Sequence, residues 1–368
     1  MYSFKFTIIG AGVVGLAVAR ALSYSFNNEN DILVIERENT FGKGISSRNS
    51  GVVHSGLYYP TGSLKHKLCI IGRRKIYQYC DQKNIQYNKC GKLIIAINED
   101  EISQIHSLYD RSVENGIENV YLIDKKSIGK LESETAAREG LLLKETGIID
   151  SHSLMKSFEY EIKENNGTIL YQTTVTAIEK HKYSYLFNLM DGTVFDSEFV
   201  INCAGLDAVK MAGLLKMPLP SFYPCKGTYF GYSKKMNVSH LIYPVPEKNL
   251  TGLGVHATID LEGRLRFGPD VEYFNSIDDY SVNEDKLESF YQSAKRIFPA
   301  ISKEYLFPEM AGIRPKLQGP GDSKIKDFYI KDESELGFPN FINLLGIESP
   351  GLTSSMAIGD YVLKLIYQ

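Results

Sequence analysis

The chain has 368 residues, 43% of them hydrophobic, and a formal net charge of -3. That length suggests about two domains of ~150 residues and enough apolar surface for a sizeable core. The weak negative charge, with no long run of Lys and Arg, excludes nucleic acid as the expected partner.

The five cysteines (Cys69, Cys80, Cys90, Cys203, Cys225) never stand as CxxC. This argues against a disulfide framework or a zinc site and fits a reducing compartment, and no metal is expected. The apolar stretch from Thr7 to Leu22 is broken by three glycines and Arg20, so it reads as part of the fold and not as a signal peptide. No later segment reaches the ~18 apolar residues of a membrane span. The expected location is cytoplasmic, with peripheral contact at the inner face of a membrane left open.

In chain order, Phe4 to Ile9 predicts a buried parallel strand running into Gly10-Ala11-Gly12-Val13-Val14-Gly15. Helix formers at helical spacing follow through Leu22. Strand, GxGxxG turn and helix in this order predict a dinucleotide site. Gly10 serves the tight turn, Gly12 the approach of a pyrophosphate and Gly15 the packing of helix on strand. A second strand, Asp31 to Ile35, ends at Glu36, in the place of an acid that accepts hydrogen bonds from a ribose diol, and Arg37 follows.

The small polar loop Phe41 to Gly51 can thread along an extended cofactor and present Ser47, Asn49 and backbone N–H groups to it. Gly91 to Ala96 reads as a strand, Ser151 to Asn166 as a helix capped by Asp150 or Ser151, and Thr168 to Glu179 as one strand containing Val175. Glu198 to Gly205 is a buried strand ending in Ala204 and Gly205, an expected second approach to the cofactor. Gly227 to Phe230, Leu241 to Tyr243 and Leu265 to Phe267 read as further strands. Phe341 to Gly346 is a last strand, and the loop carrying Gly351, Leu352 and Thr353 leads into a helix from about Ser354 to Ile366.

Several less common segments carry a resemblance. They are Asn49 to Tyr59, Gly62-Ser63-Leu64-Lys65, Leu241 to Pro246, Gly252 to His256, Phe267-Gly268-Pro269 and Thr353 to Ile358. On these the chain resembles the D-amino acid oxidase-like FAD oxidoreductases, and within them the L-2-hydroxyglutarate dehydrogenase/oxidase family. Two departures bear on substrate: Arg48 stands where that family commonly has His, and Glu348 to Thr353 is more similar to flavin-dependent glycerol-3-phosphate oxidases.

The resemblance implies a Rossmann-like α/β FAD-binding domain (1–85, 145–215 and 305–368) with an inserted antiparallel-sheet α+β substrate domain (86–144 and 216–304). It implies non-covalent FAD, with Gly10, Gly12, Gly15, Glu36, Arg37, Ser47, Arg48, Asn49, Ser50, Val175, Ala204, Gly205, Gly346, Gly351, Leu352 and Thr353 at the cofactor. Oxidation of an alcohol carbon needs a hydride acceptor, the flavin N5, and a base for the hydroxyl proton. Among the seven histidines, His54 follows the flavin loop and His256 lies in a glycine-bracketed strand, so His54 is the expected base and His256 its rival. Arg314 is the expected bidentate anchor for a carboxylate, with Lys226 and Arg266 for a second anionic group and Tyr58 and Tyr243 lining the pocket.

The expected reaction is oxidation of an anionic 2-hydroxy acid, L-2-hydroxyglutarate to 2-oxoglutarate. Glycerol 3-phosphate oxidation, amine oxidation and flavin binding without turnover are the alternatives. Oxygen, a quinone or a redox protein is the expected electron acceptor.

Overall fold

The computed structural model describes residues 2–29, 31–245 and 254–367. Pro246, Gly252 and Leu253 of the motifs above lie outside the described residues. The first strand, Tyr2–Ile9, is flanked in parallel by Ile32–Ile35 on one side and Val194–Asn202 on the other. Thr168–Leu170 extends the parallel set beyond Ile32–Ile35, and Phe338–Leu345 extends it beyond Val194–Asn202. These strands are apolar on both faces because both are covered. Phe6, Ile8, Val34, Ile201 and Ile342 join one core, and Ile9, Leu33, Ile35, Val200 and Phe341 join another. Antiparallel strands Val175–Lys180, Tyr185–Leu189 and Tyr329–Glu333 complete an eight-stranded sheet.

Thr168 to Glu179 is therefore two strands and not one. Gln172 turns the chain with φ 52°, and its N–H and that of Thr173 donate to the carbonyls of Glu38 and Glu36. The segment crosses the carboxyl end of the sheet there before Val175 begins the next strand.

A second sheet of nine strands carries the other large core. Its centre is mixed, because Lys92–Ala96 pairs in parallel with Leu241–Pro244 and antiparallel with Glu139–Leu143. The expectation of a wholly antiparallel sheet is corrected at that one pair. Leu306–Lys316, expected with the cofactor-binding unit, pairs antiparallel along the length of Tyr223–Tyr232 and so belongs to this second sheet. That placement brings Arg314 and Lys316 to the interface between the sheets.

The last helix spans Gly351–Ile366 and begins three residues earlier than the apolar pattern predicts. The helix Ser151–Glu164 is capped by Asp150, whose Oδ1 accepts from the Ser153 N–H at 3.0 Å.

The first turn depends on missing side chains. Gly10 has φ 103°, and a Cβ on Gly15 would stand 2.0 Å from the Gly10 carbonyl oxygen. Gly15→Ala is therefore expected to lower stability by at least ~1–3 kcal/mol, the usual cost of forced overpacking. Gly129→Ala, in the helix Lys125–Leu131 with nothing within 4 Å of its added Cβ, should instead stabilise by about 0.5–1 kcal/mol. Thermal unfolding of the two variants checks both signs, and an unshifted Gly15→Ala midpoint would refute the packing argument.

Candidate active site

The carboxyl ends of the parallel strands open on one cavity of about 1030 Å³, at the upper end of the ~300–1,000 Å³ usual for ligand sites. Ligands of open α/β sheets bind at this edge, where the strand order reverses. Gly10, Gly12 and Gly15 line the cavity, as do Glu36, Arg37, Arg48, Asn49, Ser50, Val175, Ala204 and Gly205. At its far end Gly351, Leu352 and Thr353 bring the positive end of the last helix to the same space.

Glu36 sits where a ribose acceptor is needed. Its Oε2 accepts from the Ala11 N–H at 2.8 Å and its Oε1 from the Glu38 N–H at 3.0 Å, which orients the carboxylate. Each oxygen has two lone pairs and keeps capacity for a further donor. Arg37 pairs with Asp207 at 2.6 Å. A Cβ on Gly12 would meet only Ser46 Oγ, at 3.0 Å, so the space in front of this glycine belongs to the cavity and not to the packed interior. Arg48 Nε and Tyr58 OH are buried without a hydrogen-bond partner, and both residues line the cavity. A glycine cradle, an oriented acid and unpaired donors are what an extended dinucleotide requires, and the residues present fit FAD.

Two of the predicted cofactor contacts lie elsewhere. Ser47 hydrogen-bonds the carbonyls of Lys43 and Gly44 and does not line the cavity. Its neighbour Ser46 faces inward and accepts from the Val13 N–H at 2.9 Å. The short 3₁₀ turn Ile45–Ser47 decides between them, and alternation along an extended loop would not have shown it. Gly346, with φ 68°, packs on Leu317 outside the cavity lining.

His54, Tyr58, Tyr243, His256 and Arg314 all line the cavity. The His54 N–H donates to Thr353 Oγ1 at 3.0 Å, which ties the histidine to the start of the last helix. Its Nε2 lies 3.2 Å from Ser349 Oγ, which in turn lies 3.3 Å from Tyr59 OH. His256 immediately precedes the strand Ala257–Ile259 instead of standing within it, and its Nδ1 bonds the Gly254 carbonyl at 3.0 Å. Burial first, then the charges of Lys92 and the other histidine, hold His54 well below the ordinary histidine range. Burial and Lys92 bring His256 down to about 3. Both imidazoles are neutral at neutral pH.

Arg314 is only partly the open fork expected. Its Nε donates to the Cys225 carbonyl, and one terminal nitrogen donates to the carbonyls of Lys226 and Asp270 at 2.9 and 2.6 Å. These bonds leave the positive charge uncompensated and lock the guanidinium in place. Lys226 and Arg266, the candidates for a second anion, do not line the cavity. Lys226 is 3.3 Å from Asp279, and Arg266 forms an ion pair with Glu309.

The cavity cations that stand in their place are Lys65 and Lys316, which the sequence pattern did not single out. Lys65 Nζ is 2.9 Å from Glu348 Oε1 and Lys316 Nζ is 3.2 Å from Glu348 Oε2, and both lysines are buried. Burial favours the neutral acid, but Lys65, Lys316 and Arg314 overcome it and hold Glu348 ionised, down to about 2. Three cations thus surround one carboxylate. A signal for Lys65 was present: it lies in the first turn of the helix Leu64–Lys83, where the helix dipole disfavours a cation.

Comparisons with known proteins agree with this geometry. Residues 5–365 match the family described as FAD dependent oxidoreductase. The chain is 37% identical to a mitochondrial L-2-hydroxyglutarate dehydrogenase of Arabidopsis thaliana, over 96% of this chain and 82% of that protein. It is 29% identical to a glycerol 3-phosphate dehydrogenase of Caloramator mitchellensis, over 99% of this chain and 74% of that protein. In structure it is similar to the L-alpha-glycerophosphate oxidase of Mycoplasma pneumoniae solved with FAD bound, with a TM-score of 0.88, 25% identity, and coverage of 100% and 96% of the two chains. With glycine cradle, oriented acid and whole-length family match in agreement, the chain belongs to the FAD dependent oxidoreductases, and FAD is its cofactor.

Proposed function

We propose that this enzyme oxidises L-2-hydroxyglutarate to 2-oxoglutarate. The observation that carries the reading is an excess of positive charge: the buried Lys65 and Lys316 and the half-buried Arg314 against Glu348, beside a neutral histidine. Unpaired buried charge is expensive, and an anionic substrate relieves it. A substrate with two carboxylates matches the uncompensated charge, with Arg314 anchoring one and the lysine pair the other. The similarity to an L-2-hydroxyglutarate dehydrogenase supports the same substrate.

FAD, when bound, supplies the two-electron acceptor for the hydride that leaves the carbinol carbon. The residues of the chain do the rest. Arg314 and the lysines orient the acid, which converts an encounter into a fixed approach. His54 takes the hydroxyl proton at Nε2, the atom now bonded to Ser349 Oγ, as the carbon–oxygen double bond forms. Thr353 holds His54 through its backbone. Tyr58 and Tyr243 wall off solvent, and burial keeps both phenols protonated.

Glycerol 3-phosphate is the second reading, because the same three cations suit a phosphate dianion, the glycerophosphate oxidase shares the whole fold, and the glycerol 3-phosphate dehydrogenase matches along 99% of this chain. Reoxidation by air, a soluble quinone or a redox protein separates oxidase from dehydrogenase. The five free cysteines fit a reducing, cytoplasmic setting, and no helix among the described residues is long and apolar enough to cross a membrane.

Anaerobic addition of L-2-hydroxyglutarate should bleach the flavin band within the turnover time, whereas glycerol 3-phosphate and amino acids should not. Bleaching by glycerol 3-phosphate alone would select the second reading. His54→Gln should slow flavin reduction by ~10²–10⁴-fold with FAD content retained, the usual range for loss of a general base. Equal reduction rates in stopped-flow would move the base to His256. Because folded His54 binds its proton more weakly than free histidine, the reduction rate should hold as pH falls through 6.5 and decline only well below it. Arg314→Lys should raise KM and slow reduction through misorientation while FAD content is unchanged. Loss of FAD from that variant would make Arg314 a structural residue.

A further inference from the structure

Lys92 opens the strand Lys92–Ala96 and is 1% exposed, yet the mechanism above leaves it without a task. Its Nζ stands 4.0 Å from the centroid of the Tyr243 ring and 5.7 Å from that of Tyr58. The His256 imidazole stacks on the same Tyr243 ring, with centroids 3.8 Å apart and an interplanar angle of 20°. The Lys92 strand pairs on one side of the Tyr243 strand and the strand that His256 precedes pairs on the other, so Tyr243 stands between Lys92 and His256.

No carboxylate compensates this ammonium among the described residues. The titratable groups turned toward it are Cys69 from the helix Leu64–Lys83, Cys90 from the preceding segment, and the phenols of Tyr58 and Tyr243. Burial keeps the two thiols protonated, Cys69 pushed up to about 12 and Cys90 to about 11. The field of Lys92 therefore reaches the histidines without a nearby counter-charge. A methionine of similar length would fill the place at lower desolvation cost, so the charge needs a reason.

We propose that Lys92 is a positioning residue: from the far side of Tyr243 its ammonium keeps the imidazoles of His54 and His256 neutral, and so able to accept a proton. The inference rests on the reading of His54 as base only for its kinetic consequence. After burial itself, Lys92 and His256 hold His54 down; the Cys69 thiol lies 3.5 Å from the His54 carbonyl, and Tyr59 reaches Nε2 through Ser349, which follows Glu348. Those that bear on His256 are Lys92 and Arg314, again after burial, while the bond to the Gly254 carbonyl acts the other way. Burial brings Lys92 down to about 7. It is therefore charged below that pH, the range in which a free histidine would take up a proton.

The test is imidazole ¹⁵N NMR titration of the FAD-loaded enzyme without substrate, comparing the parent with Lys92→Met and Lys92→Arg. His54→Gln and His256→Gln provide the assignments. In the parent both rings should stay neutral to well below pH 6.5. In Lys92→Met the His54 midpoint should rise by on the order of one unit, the size of a close like-charge effect, and in Lys92→Arg it should stay low. The Met variant should melt no lower than the parent, and Lys92→Gln serves the same comparison if the Met protein is poorly recovered. Coincident midpoints in the parent and the uncharged variants would overturn the proposal. In anaerobic stopped-flow the acid limb of flavin reduction should move with the His54 midpoint. A raised midpoint with an unmoved limb would support the electrostatic role of Lys92 and overturn His54 as the base.

Discussion

The Glu348 carboxylate, held between two buried ammonium groups, joins three parts of the chain that are far apart in sequence. Lys65 comes from the start of a helix, Lys316 from the end of a strand in the second sheet, and Glu348 from the loop before the last helix. Where these meet, Ser349 is set against His54 and Arg314 is brought two residues from Lys316. Removing one partner from such a cluster costs ~3–5 kcal/mol because it leaves a charge buried and unpaired. The cluster therefore sets the relative position of His54 and Arg314, and the rest of the site inherits it.

Binding and proton transfer draw on overlapping sets of cations: Lys65, Lys316 and Arg314 line the cavity, Lys92 bears on both imidazoles, and Arg314 also bears on His256. Positive charge attracts an anionic acid and disfavours protonation of a neighbouring imidazole. Burial adds to the second effect and strengthens the first. Neutral histidines and an excess of cations over carboxylates share one cavity and one electrostatic environment. Backbone carbonyls hold the Arg314 guanidinium without neutralising it, which leaves a preorganised donor at the cavity wall.

Much of this was legible in the sequence where local pattern and chemistry coincide. The strand into Gly10-Ala11-Gly12-Val13-Val14-Gly15 and the acid at Glu36 share one local unit, so spacing suffices to read them. His54 and Arg314 stood out because their residue types suit the chemistry, and the fold brings both to the cavity. Ser46 and Ser47 could not be separated, since a single 3₁₀ turn decides which hydroxyl faces inward. Lys226 and Arg266 look as suitable as Lys65 and Lys316 in a sequence, but acidic partners from other segments, Asp279 and Glu309, claim them. Lys92 reads as an ordinary charge at a strand end until Leu241–Pro244 pairs alongside and brings Tyr243 over it. Those distinctions are tertiary and have no local signature.

The central claim is that a dicarboxylic hydroxy acid is held by Arg314 and the Lys65–Lys316 pair beside a neutral His54. A crystal structure of the FAD-loaded enzyme with 2-oxoglutarate tests it most directly. The account predicts one carboxylate on Arg314, the other within hydrogen-bond reach of Lys316 or Lys65, and the 2-oxo oxygen next to His54 Nε2. A ligand bound instead at Lys226 or Arg266, with the lysine pair still closed on Glu348 and His54 out of reach, would contradict it.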